Sequence, residues 1–255
     1  IGGLLAGLGY RGTFAAAAAL AVVNLVLAYF MLPEPAQRQV GSARKGFSGL
    51  QAVSLALGGP QSLLYLLAFA ATFGGSAMFS MLGYFLGDRL QVGPGLLAVA
   101  FTVEAIASVI LQGVVVGYAA RRLGEERSIG WALVVGSGGF LVLILAQAFY
   151  QVLVAIVLIA VAISFIRPLV TAMVSRQTRL EQGMTMGIQT AFDALGRTIG
   201  PLFAGVAYLW HDWAPFAGGI AMYLGFYAAT QAIWRKEAAI GASAQVRGQY
   251  SKART

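Results

Sequence analysis

Residues 152–175 read VLVAIVLIAVAISFIRPLVTAMVS, twenty-four positions with a single charged side chain, Arg167. About twenty residues at a rise of 1.5 Å cross a hydrocarbon core of about 30 Å, so this run reads as a helix that spans a bilayer. On either side of it, six more runs of the same kind occupy 13–32, 62–86, 95–118, 129–149, 186–209 and 214–234. A membrane barrel would show alternating segments of about ten residues instead, so every crossing is read as a helix. The sequence predicts an all-α polytopic membrane protein with seven transmembrane helices.

Composition agrees and removes other classes. The 255 residues hold 17 Lys+Arg and 9 Asp+Glu, 10% charged, where soluble domains carry about 25%, and mean hydropathy is +0.78. A net charge of +8 points to nucleic acid only when the basic residues form one stripe on a soluble face. Here they fall in short clusters between apolar runs, and no nucleic-acid partner is expected. Cysteine is absent and His211 is the single histidine, which excludes disulfides, thiolate nucleophiles and His-rich metal sites. Lys45, Lys236 and Lys252 all lie in loops or tails, so no span carries the lysine a retinal Schiff base requires. No cofactor and no enzymatic activity are expected. The lipid bilayer is the first expected partner.

Orientation follows from where Lys and Arg collect. Arg38, Arg44, Lys45, Arg121, Arg122, Arg127, Arg176, Arg179, Arg235, Lys236, Arg247, Lys252 and Arg254 fall on one side, and Arg11 and Arg89 on the other. The first side is therefore read as the cytoplasm, with the C-terminus there, in a multi-pass protein of the cell membrane. The chain opens at Ile1 inside an apolar stretch, which reads as the end of a helix whose start is missing.

A repeat organises the spans. IGGLLAGLGY (1–10) lies over IGPLFAGVAY (199–208) with six identities in ten. Each copy is followed by a short loop, an aromatic residue (Phe14, Phe216) and an Ala/Gly-rich run. The first span then corresponds to the seventh, a parallel repeat with a period of six helices, as in carriers built from two six-helix halves.

With that repeat, the chain resembles the major facilitator superfamily. Gly2-Gly3 resembles the tail of the glycine-proline motif on the fifth helix of its antiporters, and Gly196-x-x-x-Gly200-Pro201 the counterpart on the eleventh. Residues 117–124 (GYAARRLG) resemble the cytoplasmic loop signature between paired helices, with Arg121 where that signature usually has Asp. Phe165-Ile166-Arg167-Pro168, Gln182-Gly183 and 195–201 (LGRTIGP) are similar to bacterial drug:proton antiporters. The resemblance implies the end of helix five and helix six in 1–32, a central cytoplasmic linker in 33–60, a six-helix bundle in 61–234 and a basic cytoplasmic tail in 235–255. It implies a secondary carrier that works by alternating access, exporting a small lipophilic or cationic solute against a proton gradient. The missing N-terminal half of the same protein would be its partner. A carrier of a siderophore or another metabolite, and a non-transporting scaffold or receptor, stay open.

The resemblance also implies that helices seven, eight, ten and eleven line a cavity, and polar residues recur at helical spacing on those four. They are Thr72, Ser76, Ser80 and Tyr84; Glu104, Ser108 and Gln112; Ser164, Arg167, Thr171 and Ser175; Thr185, Gln189, Asp193 and Arg197. Four of these, Glu104, Arg167, Asp193 and Arg197, carry a formal charge. Each costs roughly 2.5 to 3.5 kcal/mol at mid-helix on insertion scales, so each needs a partner or an aqueous cavity. Arg167 and Asp193 lie at similar depth and are expected to face one space, although Asp193 and Arg197 also stand four residues apart on one helix. Glu104 has no base on its own face and is the first candidate for the proton, with Asp193 the second. Gly196, Gly200, Pro201 and Pro168 are candidates for close packing or for a hinge. A short amphipathic stretch, 47–57, is read as lying on the membrane surface.

Overall fold

The computed structural model describes residues 9–31, 54, 58, 61–177 and 182–252, and every regular element among them is a helix. They are α1 (Gly9–Met31), α2 (Ser62–Leu90), α3 (Pro94–Ile110), a π-helical turn (Leu111–Val115), α4 (Val116–Leu123), α5 (Glu125–Leu145), α6 (Phe149–Gln177), α7 (Gln182–Tyr208) and α8 (Ala214–Lys252). Gly2-Gly3 and, apart from Ser54 and Gly58, the linker 33–60 with its stretch 47–57 lie outside the described residues.

Helix ends follow local chemistry. Pro94 opens α3, where its missing N–H removes a donor that had no partner anyway. Gly124 has φ +84°, a conformation that costs glycine little, and it turns the chain between α4 and α5. Its carbonyl accepts from Ser128 Oγ at 2.7 Å. Arg121 and Arg122 close α4, and Glu125 and Glu126 open α5, each sign matching the helix dipole it meets. The Arg176 guanidinium pairs with Glu125, joining the ends of α5 and α6 on this side, the basic end of the bundle.

Among the described residues, five helices are long and apolar enough to cross a membrane: Arg11–Met31, Ser62–Leu90, Pro94–Leu123, Glu125–Leu145 and Phe149–Arg176. The remaining two of the seven expected runs lie in α7 and α8, 27 and 39 residues long. Both form as helices but carry more polar side chains, including Asp193 and Arg197 on α7. Past residue 235, α8 continues unbroken to Lys252. Ala, Glu, Gln, Lys and Arg favour helix there, and no proline interrupts it.

Packing relies on close approach. α2 packs chiefly on α7, α5 on α6 and α8, and α3 on α6. Between lipid-embedded helices, apolar burial offers little driving force and small residues bring backbones together. Tyr223 of α8 is fully buried against Gly74 of α2, Gly136 of α5 and the ring of Phe140, centroids 5.5 Å apart. Phe85 meets Phe216 edge to face at 4.9 Å. α1 differs: Phe14, Leu25, Tyr29 and Phe30 are all at least 70% exposed, so its apolar surface has no partner among the described helices.

Candidate functional site

A cavity of about 370 Å³ lies between α2, α6 and α7, lined by Ala71, Thr72, Gly75, Ser76, Phe79, Ile163, Arg167 and Arg197. Apolar side chains make most of its wall and two guanidiniums its charge. Arg167 Nη2 donates to Asp193 Oδ2 at 3.3 Å. The Asp193 side chain is 13% exposed and that of Arg167 is 42% exposed, so the acid is enclosed while the base reaches into the cavity. One turn away, Gln189 Nε2 donates to Thr171 Oγ1 at 2.5 Å. Residues 167 and 171 on α6 therefore face 193 and 189 on the antiparallel α7 as two rungs. Within α7 the alternative Asp193–Arg197 pair is not formed. Asp193 Oδ1, Arg167 Nε and Gln189 Oε1 are buried without hydrogen-bond partners among the described residues, a costly arrangement for polar atoms away from water.

A second polar group joins α3 to α6. Ser108 Oγ donates to Glu104 Oε1 at 2.8 Å, Ser164 Oγ donates to Ser108 Oγ at 3.4 Å, and Gln112 Nε2 donates to Ser164 Oγ at 3.4 Å. The half-buried Glu104 thus accepts from one hydroxyl and makes no ion pair among the described residues. Gln112 stands in the π-helical turn, where the N–H of Val116 reaches the carbonyl of Leu111. One extra residue in that turn rotates α4 relative to α3, a device found often at functional sites. Ser164 stands three residues before Arg167, so α6 carries one end of both groups.

Gly196 and Gly200 form a seam with α2. A Cβ on Gly196 would collide with Thr72 Oγ1 and sit 2.7 Å from the Phe69 carbonyl oxygen; one on Gly200 would meet Ser76 Oγ and sit 2.7 Å from the Phe73 oxygen. Ser76 Oγ donates to the Gly196 carbonyl at 3.1 Å. Pro168 and Pro201 lie inside α6 and α7, which both continue through them. Ser80 bonds back to Ala77 of its own helix. Tyr84 is 65% exposed, near Tyr208. Neither lines the cavity.

The far end holds contacts the polar stripes do not indicate. Tyr208 OH donates to Asp88 Oδ2 at 2.6 Å. Arg89 Nη1 donates to the Ile144 carbonyl at 2.7 Å and lies 3.9 Å from Asp212 Oδ2. These ties join α2, α5, α7 and the loop after α7. Their signal in the sequence is Asp88-Arg89 standing beside the end of an apolar run, opposite Asp212.

Removing one member of the Arg167–Asp193 pair leaves the other without its counter-charge. Arg167→Gln or Asp193→Asn alone is expected to lower stability by about 1 to 2 kcal/mol, below the cost for a fully buried pair because the guanidinium is partly exposed. The double variant should recover part of that loss. Thermal unfolding in detergent of the two singles and the double measures this, and strictly additive losses would show that the pair contributes nothing.

The family model described as Major Facilitator Superfamily matches residues 64–254. Multidrug resistance protein 2 of Bacillus subtilis is 27% identical over 229 residues, 88% of this chain and 57% of that protein. Quinolone resistance protein NorA of Staphylococcus aureus is 24% identical over 226 residues, again 88% and 57%. Multidrug resistance protein 1 of Bacillus subtilis is 25% identical over 212 residues, 82% and 53%. The chain spans a little over half the length of the curated relatives it matches. A family match over most of the described helices, on a chain of apolar helices enclosing a partly charged cavity, places it: the chain belongs to the major facilitator superfamily.

Proposed function

We propose that this chain is the second half, with the preceding helix, of a proton-coupled exporter of a small lipophilic or cationic solute. The observation that carries the reading is Glu104, a half-buried carboxyl within an apolar helix whose bonded neighbour is a hydroxyl rather than a base. Such a group can hold a proton when neutral and a cation when ionised, and the two exclude each other. A solute entering beside Phe79 and Ile163 would place its apolar body against the cavity wall. Multidrug and quinolone resistance in the relatives' names supports a solute of this kind.

In this reading the chain crosses the membrane seven times, with α7 and α8 as the last two crossings and their polar residues turned inward. Residues 1–32 belong to the first half, 33–60 connect the halves, 61–234 form the second bundle, and 235–255 extend into the cytoplasm with the basic end. The unpartnered surface of α1 is where helices of the first half would pack. Alternating access would then arise as the two halves rock around the cavity, with the proton gradient as the energy source.

The test uses a carrier containing this chain joined to a first half, in everted membrane vesicles. Tetraphenylphosphonium and a quinolone are expected to accumulate when respiration acidifies the interior, and to leave again when a protonophore collapses the gradient. Accumulation that ignores the protonophore would refute proton coupling; no accumulation of either probe would refute drug export.

A further inference from the structure

A second cleft, of about 230 Å³, opens on the other side of the bundle between α5 and α8, at the basic end. Arg127, Gly130, Trp131 and Val134 line it from α5, and Tyr227 and Gln231 from α8. The four α5 positions fall at i, i+3, i+4 and i+7, one face of a helix. Gly130 keeps the cleft open: a Cβ there would lie 3.3 Å from Gln231 Nε2 and 3.5 Å from the Tyr227 ring.

This face is apolar beyond the cleft. Along the same stripe of α5, Val134, Leu141 and Leu145 are 37%, 50% and 64% exposed, and Gly138 between them leaves open space. In a membrane helix such a stripe lies against acyl chains. Trp131, 63% exposed, sits where the apolar stripe gives way to charge, the depth at which indole rings collect in bilayers. Arg127 is exposed and makes no ion pair among the described residues. Arg235 lies one helical turn beyond Gln231 on α8. The cleft thus offers a guanidinium, a carboxamide and an indole at the top of an open apolar groove, the combination by which basic pockets between membrane helices hold lipid phosphates.

We infer that the α5–α8 cleft binds the headgroup of an anionic phospholipid, its phosphate on Arg127 and Gln231 and one acyl chain along Val134, Gly138, Leu141 and Leu145. The site rests on the membrane placement of the chain and not on what the carrier transports. Because α5 packs on α6, which carries Arg167, one helix separates a lipid held here from the wall of the cavity.

The experiment is native mass spectrometry of the purified full chain in detergent micelles containing equal mole fractions of phosphatidylglycerol and phosphatidylcholine. The unmodified chain should retain phosphatidylglycerol in preference. Arg127→Gln should lower that preference about fivefold, the effect of one arginine near an anionic surface. Gly130→Leu, which fills the cleft and leaves every charge in place, should lower it as well. Arg122→Gln removes an equal charge from the same end, and there the preference should persist. Equal retention of the two lipids, or a loss in Arg122→Gln as large as in Arg127→Gln, would overturn the site in favour of diffuse attraction. Full displacement of the lipid by excess inorganic phosphate would reassign the cleft to a free anion. Circular dichroism of each variant separates loss of the site from loss of the fold: if Arg127→Gln unfolds, Gly130→Leu decides, and a folded Gly130→Leu chain with undiminished preference refutes the cleft.

Discussion

Replacing Gly200 by valine is expected to prevent the bundle from assembling. A Cβ at this position meets Ser76 Oγ, which can rotate away, but it also sits 2.7 Å from the Phe73 carbonyl oxygen and 3.2 Å from the Ala77 nitrogen. Those are backbone atoms of α2, and they move only if α2 and α7 separate along their whole contact. Overpacking in an ordinary core costs about 1 to 3 kcal/mol; a clash with a neighbouring backbone, repeated by the two methyl groups of valine, should exceed that. Against a total stability of about 5 to 15 kcal/mol, the folded fraction falls steeply. Gly196→Val should act alike, through the Phe69 oxygen at 2.7 Å and the Phe73 nitrogen at 2.9 Å. Gly205→Val is the control, since nothing lies within 4 Å of its Cβ position on the same helix. Size-exclusion profiles and melting temperatures in detergent check the series. A monodisperse Gly200→Val chain that melts with the parent would show that the seam is not tightly packed.

Glu104→Gln is expected to reduce proton-driven solute accumulation to that of vesicles lacking the carrier, with folding unchanged. The amide keeps the shape of the carboxylic acid and can still accept from Ser108 Oγ, so the link to α6 survives. It cannot release a proton, and it cannot bear the negative charge that a cationic solute would seek. Flux with and without a proton gradient separates the two roles, because downhill solute movement can persist in a carrier locked in its neutral form. Active accumulation by Glu104→Gln with unchanged pH dependence would make Glu104 a structural acid and move the proton to Asp193 or to the first half.

Much of this site is written along single helices. Arg167 stands eight residues from the basic end of its apolar run and Asp193 seven from its own, and adjacent antiparallel helices bring equal depths together. Equal depth does not choose a partner, however. Asp193 has Arg197 one turn away, and only the rotation of α6 against α7 aims it at Arg167. Glu104, Ser108 and Gln112 share a face by their spacing, but their meeting with Ser164 depends on the π-helical turn, and periodicity assumes an unbroken α-helix there. Gly196 and Gly200 read equally as hinge or packing surface until α2 is seen against them. Ser80 and Tyr84 follow the four-residue stripe of α2 yet do not line the cavity, because each step of four overshoots a full turn by about 40° and brings Phe79 instead of Ser80 onto the cavity face.

Sequence alone therefore determined the elements: apolar runs longer than a bilayer core can only be helices, since every backbone donor and acceptor must be satisfied within the segment. It also determined which residues are too costly to leave in lipid. The tertiary structure decided how each helix is turned about its axis, which carboxylate meets which guanidinium, and where two backbones touch. Those choices depend on shape complementarity between distant segments, set by a few glycines and rings such as Tyr223 against Gly74 and Gly136, and no local pattern along one helix records the surface of the next.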